Sequence, residues 1–126
     1  MRNKILSLML GLVLLLSCKE VEESAIIEVQ KEINFGTIHS NESVSKVFKI
    51  KNISTTNLII KNIKTSCGCT VAKLSDSIIN PNDKVELKVK FVASKEKIGK
   101  IKNSIVVESN TNPVFTVLYL KGNVVD

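Results

Sequence analysis

The stretch Lys84-Val85-Glu86-Leu87-Lys88-Val89-Lys90-Phe91 decides the fold class of this chain. Apolar and charged residues alternate along it without a fault, and side chains two positions apart on a β-strand lie on the same face. The alternation therefore predicts a strand with one buried face and one solvated face. That pattern is typical of an antiparallel sheet that covers a core on one side only.

Short strands with turns between them fill the rest of the chain from residue 25 onward. Val, Ile, Thr and Phe dominate the strands, and Gly, Pro, Asn, Asp and Ser mark the turns. The predicted strands cover residues 25–29, 33–38, 44–52, 58–63, 85–91, 101–108 and 114–120. About seven antiparallel strands in about 100 residues predict an immunoglobulin-like β-sandwich. Its core must be aliphatic plus phenylalanine, because the chain has no Trp.

The last predicted strand is apolar on both faces. Phe115, Val117 and Tyr119 alternate with Val114, Leu118 and Leu120. Two interpretations stay open. Either a loop or the first strand covers Phe115 or Tyr119, or the outer face is a surface that binds a partner or a second copy.

The N-terminus has the features of a secretory signal. Arg2 and Lys4 precede an apolar run at residues 5–16, which is shorter than the roughly 20 residues that a membrane-spanning helix needs. Its ending, Leu15-Leu16-Ser17-Cys18, resembles the bacterial lipobox, in which the cysteine is acylated and becomes the new N-terminus. We therefore expect a signal peptide at residues 1–17 and lipidation at Cys18. The expected location is the cell envelope, with a lipid anchor in a membrane, favouring the outer membrane on its periplasmic or surface side.

Residues 18–24 form a polar stretch after the predicted lipid, ahead of the sandwich at residues 25–126. One interpretation is a flexible tether. The other is a tether that also carries a sorting signal, because Lys19 followed by acidic residues resembles the export signal of surface lipoproteins in Bacteroidetes.

The composition argues against several classes of function. The net charge of +6 falls to +4 once Arg2 and Lys4 are removed, and the lysines that remain are spread along the chain. Nucleic-acid binders usually show clustered arginines and stacking aromatics, so we expect no nucleic-acid partner. The sequence shows no Ser/His/Asp set, no phosphate loop and no paired carboxylates. We expect a binding or structural module with an envelope protein as partner, no catalytic residues, no metal site and no cofactor.

Several motifs together resemble one bacterial family. They are the segments Phe35-Gly36-Thr37-Ile38, Phe48-Lys49-Ile50-Lys51-Asn52, Ser66-Cys67-Gly68-Cys69-Thr70, Asn80-Pro81 and Leu120-Lys121-Gly122. The family is the domain of unknown function numbered fifteen seventy-three, which is common in exported proteins and lipoproteins of Bacteroidetes. The resemblance covers about residues 26–124. It implies an Ig-like fold and an envelope location, and it implies no activity.

The pair Cys67 and Cys69 is the candidate disulfide or thiol pair. In an extended strand their Cα atoms would lie roughly 6.5–7 Å apart, whereas a disulfide favours about 5.5–6 Å. A bridge therefore requires a bend, which Gly68 permits. We expect the pair to be oxidised in the envelope, in a small and easily reduced ring. Three roles stay open: local shaping of the loop, thiol redox chemistry, and binding of a soft ion such as Cu(I). Zinc is disfavoured because His39 is the only histidine, and we expect His39 simply to be exposed.

Overall fold

A computed structural model describes residues 17–18 and 21–126. The described residues do not include residues 1–16 of the predicted signal peptide or residues 19–20 of the predicted tether. The predictions about these two segments stay predictions. No helix in the described part of the chain is both long and apolar enough to cross a membrane. The described residues form nine strands: β1 (Ile27–Glu28), β2 (Glu32–His39), β3 (Ser43–Asn52), β4 (Leu58–Thr65), β5 (Thr70–Leu74), β6 (Ile78–Ile79), β7 (Lys84–Val92), β8 (Gly99–Ser109) and β9 (Phe115–Val125).

The strands form a sandwich of two sheets. One sheet has the order β1-β3-β7-β5 and the other the order β2-β9-β8-β4-β6. The predicted Ig-like β-sandwich is thus confirmed. The described residues include seven strands of five residues or more, which is the expected number but not the expected set. The strand predicted at residues 25–29 is reduced to the two-residue β1, and β5 and the two-residue β6 were not predicted.

One strand pair departs from the antiparallel expectation. β2 runs parallel to β9, with Ile33 opposite Leu120 and Ile38 opposite Val124, while the other strand pairs are antiparallel. The cause is the crossing of the chain between sheets after β1, which brings β2 to the outer edge of β9 in the same direction. Alternation along a strand determines which face is buried, and it carries no information about the neighbouring strand.

The alternating segment from Lys84 to Phe91 lies within β7, which pairs with β3 on one side and β5 on the other. Its four apolar side chains are at most 5% exposed, and its alternating charged neighbours are exposed. The Phe91 ring stacks on Phe35 of the opposite sheet, with the ring centroids 5.4 Å apart. The predicted face assignment is therefore confirmed.

Phe35 explains why two of the sequence motifs occur together. β2 has a bulge between Asn34 and Thr37, and Gly36 lies within it with a φ of 82° that favours glycine. The bulged strand places the Phe35 ring directly on Gly122 of β9, where a Cβ atom would overlap the ring. The ring can pack there only because residue 122 has no side chain.

Three parts of the strand pattern were not predicted: β5, the two-residue β6 and the end of β9. β5 is an edge strand paired only with β7. Burial alternates along it, but the exposed Val71 is apolar, so the sequence itself lacks a clear apolar–polar alternation. β9 continues past Gly122 to Val125, because β2 on one side and β8 on the other supply backbone partners there.

Asn52, at the end of β3, joins three segments of the chain. Its side chain is fully buried, and Nδ2 donates to the carbonyl oxygens of Thr56, at 2.8 Å, and Ile79, at 2.9 Å. Its Oδ1 accepts from the backbone N–H of Ser54 at 3.0 Å and lies 2.5 Å from the Ser54 hydroxyl. The amide thereby fixes the β3–β4 turn against β6.

β4 and β8 run between two ends of the sandwich. At the first end, which we call the tether end, Ala25 bridges Thr111 and the Asn110 side chain donates to the carbonyl of Asn57. At the second, which we call the disulfide end, the β4–β5 loop (residues 66–69) and the β7–β8 loop (residues 93–98) lie together. Ala25, where the chain enters the sandwich, and the cysteine pair are therefore at opposite ends of the domain.

Candidate functional site

A disulfide joins Cys67 and Cys69 in the loop between β4 and β5. Their Cα atoms lie 5.1 Å apart, closer than in an extended strand, because the chain turns at Gly68. The backbone N–H of Thr70 donates to the Cys67 carbonyl oxygen at 3.1 Å and closes the turn. Both cysteines are half-buried, and Gly68 between them is exposed.

The turn is held by its neighbours as well as by its own bond. The Val92 N–H, at the end of β7, donates to the Cys69 carbonyl at 2.9 Å. The Thr65 hydroxyl lies 3.2 Å from the Cys67 carbonyl oxygen and 3.1 Å from that of Thr70, and it can donate to either. These bonds use backbone oxygens. The sulfur of Cys67 accepts from the backbone N–H of Cys69 at 3.1 Å, and both sulfur atoms also interact with side chains.

Two side chains from distant parts of the sequence reach the sulfur atoms. Lys97, in the β7–β8 loop, places Nζ 2.8 Å from Cys67 Sγ and 3.6 Å from Cys69 Sγ. Asn103 of β8 is buried, donates from Nδ2 to the Thr70 hydroxyl at 2.9 Å, and lies 3.9 Å from Cys69 Sγ. Sequence reasoning missed both residues. Lys97 is one of many exposed lysines, and nothing in its local sequence sets it apart.

His39 lies at the end of β2 and is exposed, as expected. Its backbone N–H donates to the Glu42 carboxylate at 3.2 Å. The polar side chains that contact the cysteine sulfurs belong to Lys97, Asn103 and the adjacent Thr70 instead. Within residues 17–18 and 21–126, no three His, Cys, Asp or Glu side chains are grouped closely enough to hold a metal ion.

A second candidate site is a groove at the tether end, which we call the Phe115 groove. Residues 25–29 and Lys31 form one wall, and residues 111–113 and 115–117 form the other. Phe115 is 59% exposed, Ile26 is 54% exposed and Val117 is 36% exposed. Of the two interpretations of this strand, the structure therefore supports an uncovered outer face at Phe115.

Tyr119, two residues after Val117 on the same face of β9, is half-buried. The Lys102 ammonium lies over its ring, 4.5 Å from the centroid, in a cation–π contact. Beside it, Lys121 forms an ion pair with Glu32 at 2.7 Å. The hydrogen bond and positive charge of Lys121 hold the pKa of Glu32 below its ordinary value of 4.5. The outer face of this sheet thus changes from apolar at the tether end to charged further along.

Cys18, the predicted lipidation site, is exposed and lies outside the sandwich. Of the residues that surround it in the lipobox, only Ser17 is among those described. The residues that bring an acyl group to Cys18 would belong to other proteins, so its prediction rests on the sequence alone.

Comparisons with known proteins give a family and a fold. The family described as "Protein of unknown function (DUF1573)" matches residues 26–124 of this chain. No curated protein matches the sequence.

Solved structures share the sandwich at low sequence identity. A protein of unknown function from Porphyromonas gingivalis W83 has a TM-score of 0.74 and 15% identity over 86% of this chain and 51% of its own. The PapD-like domain 7 of human CEP192 has a TM-score of 0.65 and 14% identity, over 86% of this chain and 92% of its own. The secreted serine protease VesC from Vibrio cholerae has a TM-score of 0.63 and 8% identity, over 79% of this chain and 23% of its own. This chain thus spans about half of the Porphyromonas protein, and these likenesses show the fold.

Proposed function

This chain belongs to the DUF1573 family of proteins of unknown function, and from that premise we propose that it is a lipid-anchored binding module of the bacterial cell envelope, without enzymatic activity. The observation that supports this proposal is the exposed Phe115 groove, which lies at the end of the sandwich where the tether enters. Acylation at Cys18 would attach the module to a membrane, because several acyl chains together give stable anchoring.

The position of the groove limits where its partner can be. Seven residue steps separate Cys18 from Ala25, which span at most about 25 Å when fully extended. Ala25 itself lines the groove. The Phe115 groove is therefore held within about that distance of the predicted lipid, and the partner would be a protein at the membrane surface.

The chemistry of the groove favours a protein partner over the bilayer itself. Its exposed apolar side chains, Ile26, Phe115 and Val117, are bordered by Glu28 and Lys31. An apolar centre with a polar rim is the usual composition of a protein–protein interface. Aromatic side chains such as Phe115 are also enriched in such interfaces.

The anchor is tested by Cys18→Ala in the native host, with a clickable palmitate analogue and membrane fractionation. We expect the substitution to abolish labelling and to release the protein from the membrane or leave it unprocessed. The double variant Cys67→Ala/Cys69→Ala is the matched control and should remain labelled. A Cys18→Ala protein that is still processed and still sediments with membranes would contradict the anchor.

The groove is tested by a photocrosslinking amino acid at position 115, with the same amino acid at position 71 as control. Val71 is also an exposed apolar residue, but it lies on β5 of the opposite sheet. We expect one protein species crosslinked from position 115, absent from position 71, and lost when Val117→Lys is added. Crosslinks to lipid alone, or the same species from both positions, would contradict a protein partner in the groove.

The second candidate function is thiol redox or soft-metal handling by Cys67 and Cys69. The contact of Lys97 with the sulfurs favours redox chemistry within this candidate. An ammonium group beside Cys67 Sγ repels a copper cation that approaches the same atom, whereas it stabilises a thiolate. Metal analysis of protein purified from the native host tests the point, and stoichiometric copper on the two thiols would favour the metal role.

A further inference from the structure

The Cys67–Cys69 disulfide has a cationic neighbour whose effect depends on the redox state. Lys97 Nζ lies 2.8 Å from Cys67 Sγ and 3.6 Å from Cys69 Sγ. A disulfide sulfur is uncharged and accepts hydrogen bonds only weakly. A thiolate at the same place carries a full negative charge, which an adjacent ammonium stabilises. Lys97 therefore interacts more strongly with the opened pair than with the closed one.

We propose that Cys67, Cys69 and Lys97 form a thiol–disulfide exchange site, in which Lys97 stabilises Cys67 as the leaving thiolate. The substrates are the thiols or disulfides of other exported proteins. The proposal deepens the second candidate function and does not depend on the lipid anchor or on the Phe115 groove.

The loop is built to keep its shape when the bond opens. The Cys67 carbonyl accepts from the Thr70 N–H at 3.1 Å, and the Cys69 carbonyl accepts from the Val92 N–H at 2.9 Å. Neither bond involves sulfur. The disulfide also closes a loop with a single intervening residue, and such a short loop removes little entropy from the unfolded chain. Opening it should leave the sandwich folded and the two thiols adjacent.

Access to the pair is open on one side. Gly68 is exposed, and a Cβ atom at that position would meet no atom within 4 Å outside the two cysteines that flank it. The loop lies at the disulfide end of the sandwich, away from the tether. A polypeptide can therefore approach the two half-buried sulfurs over Gly68 without displacing another part of the domain.

The exchange balances with a dithiol as the reductant. One thiolate of the dithiol attacks Cys69 Sγ, the Cys67–Cys69 bond breaks, and Cys67 leaves as a thiolate beside the Lys97 ammonium. The second thiolate of the dithiol then attacks the first sulfur of the same dithiol, which is bonded to Cys69 Sγ in the mixed disulfide. Cys69 is released as a thiolate. The dithiol loses two electrons and two protons and becomes a disulfide, and the pair gains both electrons and takes two protons from solvent. The reverse sequence oxidises the pair at the expense of a substrate disulfide.

The test measures how fast dithiothreitol reduces the disulfide in the full chain at pH 7, by timed alkylation and peptide mass spectrometry. Lys97→Met removes the charge and keeps most of the side-chain length. We expect it to slow reduction by about threefold to tenfold, because the leaving thiolate loses its cation. Lys97→Arg should stay within about twofold of the wild type, because it keeps the charge. Lys95→Met, at an exposed neighbouring lysine, is the matched control and should not change the rate.

Two further readouts separate an electrostatic effect from a structural one. The difference between the wild type and Lys97→Met should shrink in 1 M NaCl, because salt screens an exposed contact. Alkylation of reduced Cys67 by iodoacetamide should reach half its maximal rate at a higher pH in Lys97→Met. Equal reduction rates in the wild type and Lys97→Met, or equal slowing by Lys95→Met, would overturn the proposal. So would the finding of two free thiols at these positions in protein taken directly from the native envelope.

Discussion

Replacement of Asn52 by aspartate should destabilise the domain strongly at neutral pH. The change preserves the shape of the side chain but replaces Nδ2, which donates to the carbonyls of Thr56 and Ile79, by an oxygen. Two hydrogen bonds are lost, at about 1 kcal/mol each, and the buried Ile79 carbonyl loses this donor, at about 1–3 kcal/mol. The part-buried Thr56 carbonyl still has the Ser54 hydroxyl 3.1 Å away. Because these figures partly overlap, we expect Asn52→Asp to lower the free energy of unfolding by about 2–5 kcal/mol at pH 7, out of roughly 5–15 kcal/mol for a typical domain.

The same substitution should make stability depend on pH in a defined direction. Burial and two facing carbonyl oxygens disfavour the charged form, so the pKa of the introduced carboxyl group is raised in the folded state above its unfolded value of about 3.9. A raised folded pKa contributes stability that is fully present below the unfolded pKa and is lost as the pH rises through the folded pKa. The deficit relative to the wild type should therefore be smaller at pH 3.5, where the neutral acid also donates one hydrogen bond, than at pH 7.

The assay is urea unfolding followed by circular dichroism at the two pH values, with slopes compared to check two-state behaviour. Asn62→Asp, at an exposed position on β4, is the matched control and should change the free energy of unfolding by less than about 0.5 kcal/mol. The role given to the Asn52 amide would be refuted by either of two results. One is a decrease in the free energy of unfolding at pH 7 that is as small for Asn52→Asp as for Asn62→Asp. The other is a difference between Asn52→Asp and the wild type that is the same at both pH values.

Three further predictions concern the core and the outer face. Phe91→Ala should lower the free energy of unfolding by about 3–5 kcal/mol, while Lys88→Ala on the same strand should leave it unchanged; equal losses in denaturant unfolding would reverse the assigned faces. Gly122→Ala should cost about 1–3 kcal/mol by the same assay, because its methyl group overlaps a packed phenyl ring, and a neutral result would show that the ring moves freely. In an NMR titration, Lys121→Ala should raise the pKa of Glu32 toward 4.5. The lowered pKa of Glu32 in the wild type stabilises the folded state above the unfolded pKa, and this small contribution is lost as the pH falls through the folded pKa. An unchanged titration midpoint in Lys121→Ala would show that the ion pair does not cause the lowered pKa.

The sequence was sufficient for the fold class because the alternation of apolar and polar residues along a strand predicts which face is buried. The alternation along β7 is enough to identify its buried face, which carries Val85, Leu87, Val89 and Phe91. The spacing of the turn residues indicates the sandwich. β5 was missed because its exposed face carries the apolar Val71, so its sequence does not alternate although its burial does.

The surroundings of the candidate sites could not be predicted, because they depend on contacts between distant segments. Lys97 lies 30 positions after Cys67, and only the packing of two loops brings them together. Phe115 was open to two interpretations, since its exposure depends on whether another segment covers it. Asn52 was noticed only as part of a motif, because the partners of its amide are backbone carbonyls, which every residue has.

The parallel pairing of β2 with β9 also has a consequence for the order in which the domain folds. β2 is among the first parts of the sandwich to be synthesised, and β9 is the last. The five-stranded sheet places β9 between β2 and β8, so until it arrives β2 has no neighbour in its own sheet. Closing such a distant pair is entropically slow. The nascent chain must therefore remain partly open until its final strand emerges, and a chain truncated before Phe115 would lack the strand that joins the beginning of the domain to the rest.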